Sequence, residues 1–172
     1  PPLELYVPEP KFRPGDAVDY SDLVIPPAGL QPRPDEGCAP AETHPLCLDL
    51  VRVLDDDNRA VGHWDPKLDA ETLHRMLRVM ALTRAFDDRM YRAQRQGKTS
   101  FYMKCTGEEA VSVSAAFALA SDDMFFPSYR QQGILIARGY PLVEMVNQIY
   151  SNRADRMKGR QLPVMYSARD FG

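Results

Sequence analysis

Eleven of the 15 prolines fall within the first 45 residues, and that clustering restricts what this part of the chain can become. Proline lacks a backbone N–H and its ring fixes φ, so it breaks helices and is confined to strand edges. Val7-Pro8-Glu9-Pro10, Pro26-Pro27 and Pro32-Arg33-Pro34 therefore have neither helical continuity nor strand alternation. Such a stretch hardly builds a core of its own, and is either disordered or an arm lying on another surface. The apolar residues Leu3, Leu5, Tyr6, Val7, Phe12, Leu23, Val24 and Ile25 favour the arm, on a surface that a partner subunit can supply.

Leu48-Asp49-Leu50-Val51-Arg52-Val53-Leu54 reads as a short strand. Asp55-Asp56-Asp57-Asn58 then supplies a turn, and residues 60–64 return as a hairpin partner. At Asp69 the pattern becomes helical. Leu73, Met76, Leu77, Met80, Phe86 and Met90 recur at spacings of three and four or their sums, which predicts a long amphipathic helix packed on a core. Asp69 caps its start and Gly97 closes it. Thr106 and Glu109 have capping-box spacing before an Ala- and Ser-rich helix over residues 108–120, whose small side chains let another element approach. Residues 123–127 read as a short strand ended by Pro127. A third helix is expected after Ser128, with Gln131 completing its box, and a fourth over residues 142–150 with Pro141 at its start. The chain thus divides into an extended proline-rich arm with a hairpin (1–68) and a helical region (69–172).

The net charge of −3 argues against a binder of nucleic acid driven by phosphate neutralisation. The charge is uneven. Residues 1–68 hold 13 acidic and 6 basic side chains, net −7; residues 69–172 hold 11 acidic and 15 basic, net +4. No apolar run is long enough to span a bilayer, and no secretory signal opens the chain. Because it begins at Pro1 rather than Met, a segment trimmed from the front is compatible with the sequence. The three cysteines, Cys38, Cys47 and Cys105, show no CxxC spacing and suit free thiols. Cys38, His44 and Cys47 lack a fourth ligand and a familiar spacing, so they do not define a metal site.

The strand-to-helix junction Phe126-Pro127-Ser128-Tyr129-Arg130 is the strongest local candidate for chemistry. A helix start offers free backbone N–H groups to an anion, and an arginine there adds a fork of donors matched to phosphate oxygens. Ser128 and Tyr129 add hydroxyls. Residues 98–104 are the second candidate, with Phe101 and Tyr102 able to line an apolar pocket or to pack in the core. Glu108 and Glu109 are possible acid or base groups, although capping accounts for one of them. Nothing in the chain has the pattern of a Ser-His-Asp order, HExxH, a P-loop or GxGxxG.

Several blocks agree at once with one family. Arg95-Gln96-Gly97-Lys98-Thr99-Ser100-Phe101-Tyr102-Met103 followed by Gly107-Glu108-Glu109-Ala110, then Tyr129-Arg130-Gln131-Gln132-Gly133-Ile134-Leu135, then Lys158-Gly159-Arg160-Gln161-Leu162-Pro163-Val164-Met165-Tyr166, resemble the alpha subunit of branched-chain 2-oxo acid dehydrogenases. The opening Leu3-Glu4-Leu5-Tyr6-Val7-Pro8-Glu9-Pro10 is similar to that of the bacterial members. The resemblance implies an α/β fold: the N-terminal part of a thiamine-diphosphate-binding fold, a parallel sheet flanked by helices, with most strands downstream. It implies the E1 component of a multienzyme complex, an alpha2beta2 heterotetramer with a beta subunit, which decarboxylates branched-chain 2-oxo acids. The acyl group passes to the lipoyl group of an acyltransferase (E2) core. A bacterial, cytoplasmic setting follows from the same likeness.

By the resemblance, thiamine diphosphate lies between alpha and beta subunits, with magnesium on its diphosphate. Tyr129 and Arg130 fall on the family's diphosphate-contacting pair, and Phe101 and Tyr102 beside its substrate pocket. Ser128 occupies a place where other members carry Gln. The Gly-Asp-Gly metal motif and the assisting histidine are expected beyond Gly172, so no catalytic residue or metal ligand is assigned here and the fragment is expected to be inactive alone. A pyruvate dehydrogenase alpha subunit shares the cofactor and fold, and is disfavoured by the Ser-Phe-Tyr-Met run and the long arm. A non-catalytic assembly fragment is the alternative of another class.

Overall fold

The computed structural model describes residues 13–17, 19–21, 24–47 and 49–172. Contacts divide the chain into two compact units, Pro1–Lys67 and Leu68–Gly172.

The first unit is mostly irregular backbone, as its prolines require. Helix α1 (Pro40–Thr43) is a single turn that continues as a 3-10 turn over His44–Cys47. The segment around residues 29–33 lies along the chain that follows it. Gly29 N donates to Arg52 O at 2.9 Å, Gln31 Nε2 to Asp49 Oδ2 at 2.7 Å, and Trp64 Nε1 to Pro32 O at 3.2 Å. Gly29 and Gly62 touch backbone to backbone: a Cβ on Gly62 would sit 2.8 Å from the Gly29 carbonyl oxygen. Both have positive φ, so only glycine suits either position. Val24 and Ile25 are exposed, while Leu3, Leu5, Tyr6, Val7, Phe12 and Leu23 lie outside the described residues.

The expected hairpin is reduced to its tip. Leu54 and Ala60 form one antiparallel bridge, Val61 N donates to Val53 O, and Asp55 Oδ1 accepts the amides of Asp57 and Arg59. Leu48 lies outside the described residues, and residues 49–53 are not a strand. Among the described residues no third strand joins it, and a two-stranded ribbon alone is marginal, which accounts for pairing confined to the turn. Residues 123–127 likewise run without a partner strand. No sheet forms among the described residues, so the parallel sheet implied by the resemblance finds no counterpart there.

The second unit is helical: α2 (Ala70–Arg95), α3 (Glu109–Ala118), α4 (Gln132–Ala137) and α5 (Leu142–Ile149). Asp69 Oδ1 caps α2 by accepting Thr72 N at 2.7 Å, and Gly97, at φ 69°, ends it. Only the second half of its apolar stripe is buried. Phe86 and Met90 enter the core, whereas Leu73 and Leu77 are 50% and 61% exposed. The core gathers Phe86, Met90, Tyr102, Leu135, Met145 and Ile149 with their neighbours. Helices α2, α3 and α4 pack mutually. They approach closely at Gly133, where a Cβ would stand 3.1 Å from Ser112 Cβ and 3.7 Å from the Thr83 side chain. The small residues of α3 permit this, although only its Ser112, Val113 and Ala116 face is buried and Val111 is exposed.

Two expected helix starts move. Helix α3 begins at Glu109 rather than 108, and Thr106 does not cap it; the Glu109 carboxylate accepts Gly107 N at 2.8 Å and pairs with Arg84. Helix α4 begins at Gln132 rather than directly after Ser128. The capping-type bond is present, Ser128 N donating to Gln131 Oε1 at 2.5 Å. Gln131 itself has φ −111° and ψ 31°, so residues 128–131 close a separate turn ahead of the helix. No helix among the described residues is long and apolar enough to cross a membrane.

Candidate functional site

The turn before α4 and the loop between α2 and α3 meet on the surface of the second unit. The rings of Phe101 and Tyr129 stand edge to face, 6.3 Å apart at 86°. The Arg130 guanidinium lies 5.9 Å from the Tyr129 ring centre, and its Nη1 is 3.6 Å from Glu108 Oε1. All four side chains keep access to solvent, Phe101 at 37% and Tyr129 at 40%. An aromatic ledge thus adjoins one guanidinium whose ion pair with Glu108 is long and wet, worth little to stability. Arg130 precedes the N-cap of a six-residue helix instead of sitting in its first turn, so its own charge, not a helix dipole, is what the site offers an anion. Ser128 is exposed, and its amide is already taken by Gln131.

Tyr102 turns the other way. It is 5% exposed, packs edge-on to Phe86 at 6.4 Å, and donates its hydroxyl to Asp87 Oδ1 at 2.6 Å. Burial pushes its hydroxyl far above the usual tyrosine range. It belongs to the core, so the expected pair beside a pocket divides, with Phe101 facing outward. Alternation along an extended loop explains why neighbours point to opposite sides.

Asp87 and Gln132 were not singled out by the motifs, yet they organise this region. Asp87 is fully buried and accepts three hydrogen bonds: from Tyr102, from Gln132 Nε2 at 2.6 Å and from Cys105 N at 2.7 Å. The signal for it was available: a carboxylate between Phe86 and Met90, on the face that the periodicity assigns to the core. A second ion pair, Arg84 with Glu109, links α2 to α3 and holds the Glu109 carboxyl below its ordinary range through that hydrogen bond. Lys104 Nζ pairs with Asp88 Oδ1 at 2.6 Å and lowers its carboxyl in the same way. A separate apolar cavity of about 420 Å³ lies between residues 124–127, α4 and the C-terminal residues 166–172. Among the described residues no three His, Cys, Asp or Glu side chains gather as metal ligands.

Sequence comparison identifies the class. The model of the dehydrogenase E1 component family matches residues 77–171, and the chain belongs to that family. A second model, described as the N terminal of the 2-oxoisovalerate dehydrogenase E1 alpha subunit, matches residues 1–41. The chain is 56% identical over 171 residues to the 2-oxoisovalerate dehydrogenase subunit alpha of Pseudomonas aeruginosa, covering 99% of this chain and 42% of that protein. It is 43% identical over 122 residues to the mitochondrial subunit alpha 1 of Arabidopsis thaliana (70% of this chain, 26% of that protein). It is 38% identical over 124 residues to the human mitochondrial subunit alpha (72% and 28%). The chain therefore spans less than half the length of these relatives.

Proposed function

We propose that this chain is the N-terminal part of the alpha subunit of a branched-chain 2-oxo acid dehydrogenase, and that Tyr129 and Arg130 hold the diphosphate of thiamine diphosphate. The observation that carries this reading is the surface patch where Phe101, Tyr129 and Arg130 converge from two separate loops. The donor set fits the group. A guanidinium presents parallel N–H donors to phosphate oxygens, the adjacent phenol adds one more, and an exposed Glu108 at 3.6 Å is a partner that an anion can displace. Phe101 provides an apolar wall for an aliphatic acyl chain, at about 0.8 kcal/mol per buried methylene. The relatives, all named for 2-oxoisovalerate, favour the branched-chain substrate class over pyruvate.

Thiamine diphosphate supplies a nucleophilic carbon and a sink for the electron pair left when CO2 departs. The residues of this chain do the binding. Arg130 neutralises diphosphate charge, Tyr129 orients it through its hydroxyl, and Phe101 keeps water from the acyl chain. Ser128 can add only its hydroxyl, since its amide is bound to Gln131. In this reading the magnesium ligands and the proton-transfer groups come from the remainder of a full-length subunit, paired with a beta subunit and serving a lipoyl-bearing acyltransferase core.

Calorimetric titration of thiamine diphosphate with magnesium, on the full-length alpha–beta enzyme, tests the assignment against Arg130→Ala. Loss of a charge-assisted contact is expected to cost about 1.5–3 kcal/mol, a tenfold or greater weakening. Unchanged affinity in a folded variant sinks it. Rates with 3-methyl-2-oxobutanoate and pyruvate decide the substrate class.

A further inference from the structure

We infer that Asp87 is a positioning residue for the Arg130 contact: its buried carboxylate sets where the Phe101 loop and the Tyr129–Arg130 turn stand relative to each other. The inference rests on the diphosphate reading above. Asp87 is 0% exposed, and among the described residues no Lys, Arg or His forms an ion pair with it. A buried carboxylate without a cation is costly unless directed donors surround it. It has three. Two come from the loop between α2 and α3, the Tyr102 hydroxyl at 2.6 Å and Cys105 N at 2.7 Å; the third is Gln132 Nε2 at 2.6 Å, at the start of α4. Gln132 Nε2 also reaches Met103 O at 3.3 Å, a second tie between the same two segments.

The sequence positions of these donors give the carboxylate its consequence. Tyr102 is next to Phe101, and Gln132 is two residues after Arg130. One oxygen, Asp87 Oδ1, accepts from both sides, so the side chain on α2 works as a common reference for the two loops that form the site. Apolar contacts alone hold helices together but tolerate sliding, whereas short charge-assisted bonds fix direction as well as distance. Asparagine in place of Asp87 retains the volume but turns an amide N–H₂ toward at least one of the three donors.

A double-mutant cycle on the full-length alpha–beta enzyme separates positioning from general support of the fold. The readout is the dissociation constant of thiamine diphosphate with magnesium, with thermal unfolding followed in parallel. Arg130→Ala is expected to weaken binding at least tenfold. Asp87→Asn is expected to weaken it at least fivefold in the parent enzyme but less than twofold in the Arg130→Ala background. If the Asp87→Asn enzyme does not assemble, Gln132→Met, which removes the α4 donor to Asp87 together with the contact to Met103 O, is read by the same criterion. A fivefold loss in both backgrounds overturns the inference, because Asp87 then supports the fold without acting through Arg130. Unchanged binding in the single variant overturns it also. Unchanged binding in Arg130→Ala alone overturns the diphosphate reading first and this inference with it, so the two failures are distinct.

Discussion

Tyr102 donates its hydroxyl to Asp87 across 2.6 Å while its ring stands edge-on to Phe86, so one side chain serves both a polar hub and the apolar core. Tyr102→Phe preserves the ring packing and removes one donor from a buried carboxylate. Because hydrogen bonds to charged groups contribute about 1.5–3 kcal/mol, urea unfolding of the full-length subunit is expected to show a loss of about 2 kcal/mol with little change in the slope. A loss under about 0.5 kcal/mol would show that water or a rearranged Gln132 replaces the hydroxyl.

Gly133 is required by proximity, not by conformation. A Cβ there meets Ser112 Cβ at 3.1 Å and the Thr83 side chain at 3.7 Å, so a larger side chain is crowded from both α3 and α2. Gly133→Val is expected to destabilise by about 1–3 kcal/mol through overpacking. Pairing Gly133→Ala with Ser112→Gly restores the space and adds helix propensity on one side while losing it on the other. Thermal unfolding of the double variant is therefore expected near the parent. If Gly133→Val melts with the parent, the close approach of the two helices is wrong.

The long helix and its ends were legible in the sequence because each signal is local. Asp69 bonds Thr72 N within one turn, Gly97 takes the positive φ that ends α2, and Pro141 precedes α5. The candidate patch was half legible: Phe101, Tyr129 and Arg130 were named from motif and chemistry, but their meeting is a tertiary fact. Periodicity marks which side of a helix is apolar, not how far along it a neighbour extends. Leu73 and Leu77 therefore share the stripe of Phe86 and Met90 without sharing their burial. Ser128 and Gln131 carry the spacing of a capping box and form its bond, yet Gln131 leaves the helical region of φ and ψ, so the same signal closed a turn. Among the described residues of the expected strand at 48–54, pairing with the returning segment is confined to Leu54 with Ala60 and to the Val53 carbonyl that accepts Val61 N.

Glu109 gives a pH dependence with a definite sign. Its hydrogen bond from Arg84, and the amide of Gly107, favour the carboxylate, so its folded pKa lies below its unfolded one. A group of this kind contributes stability that is fully present above the unfolded carboxylate range and is lost as pH falls through the lowered folded value. Arg84 is half-exposed, so the gain is small and salt-sensitive. Urea midpoints of Glu109→Gln and parent are expected to differ at pH 7 and to converge toward pH 3. A difference that holds constant across that range means the carboxylate is not the group responsible.

The three thiols are expected to react in an order set by their surroundings. Cys105 is 0% exposed, and burial together with the nearby Asp87 carboxylate pushes its thiol up to about 12. At pH 8 only about one Cys105 in ten thousand is then a thiolate, and only the thiolate is alkylated. Cys47 is exposed and Cys38 half-buried, so iodoacetamide has direct access to the former. Mass spectrometry of the folded full-length enzyme at pH 8 is expected to find Cys47 labelled first and Cys105 unlabelled until denaturant is added. Labelling of Cys105 at a rate comparable to Cys47, without loss of fold, would mean that the loop over residues 99–105 opens readily. Asp87 would then not hold that loop, and the hub built on Tyr102, Cys105 and Gln132 would lose two of its three donors at once.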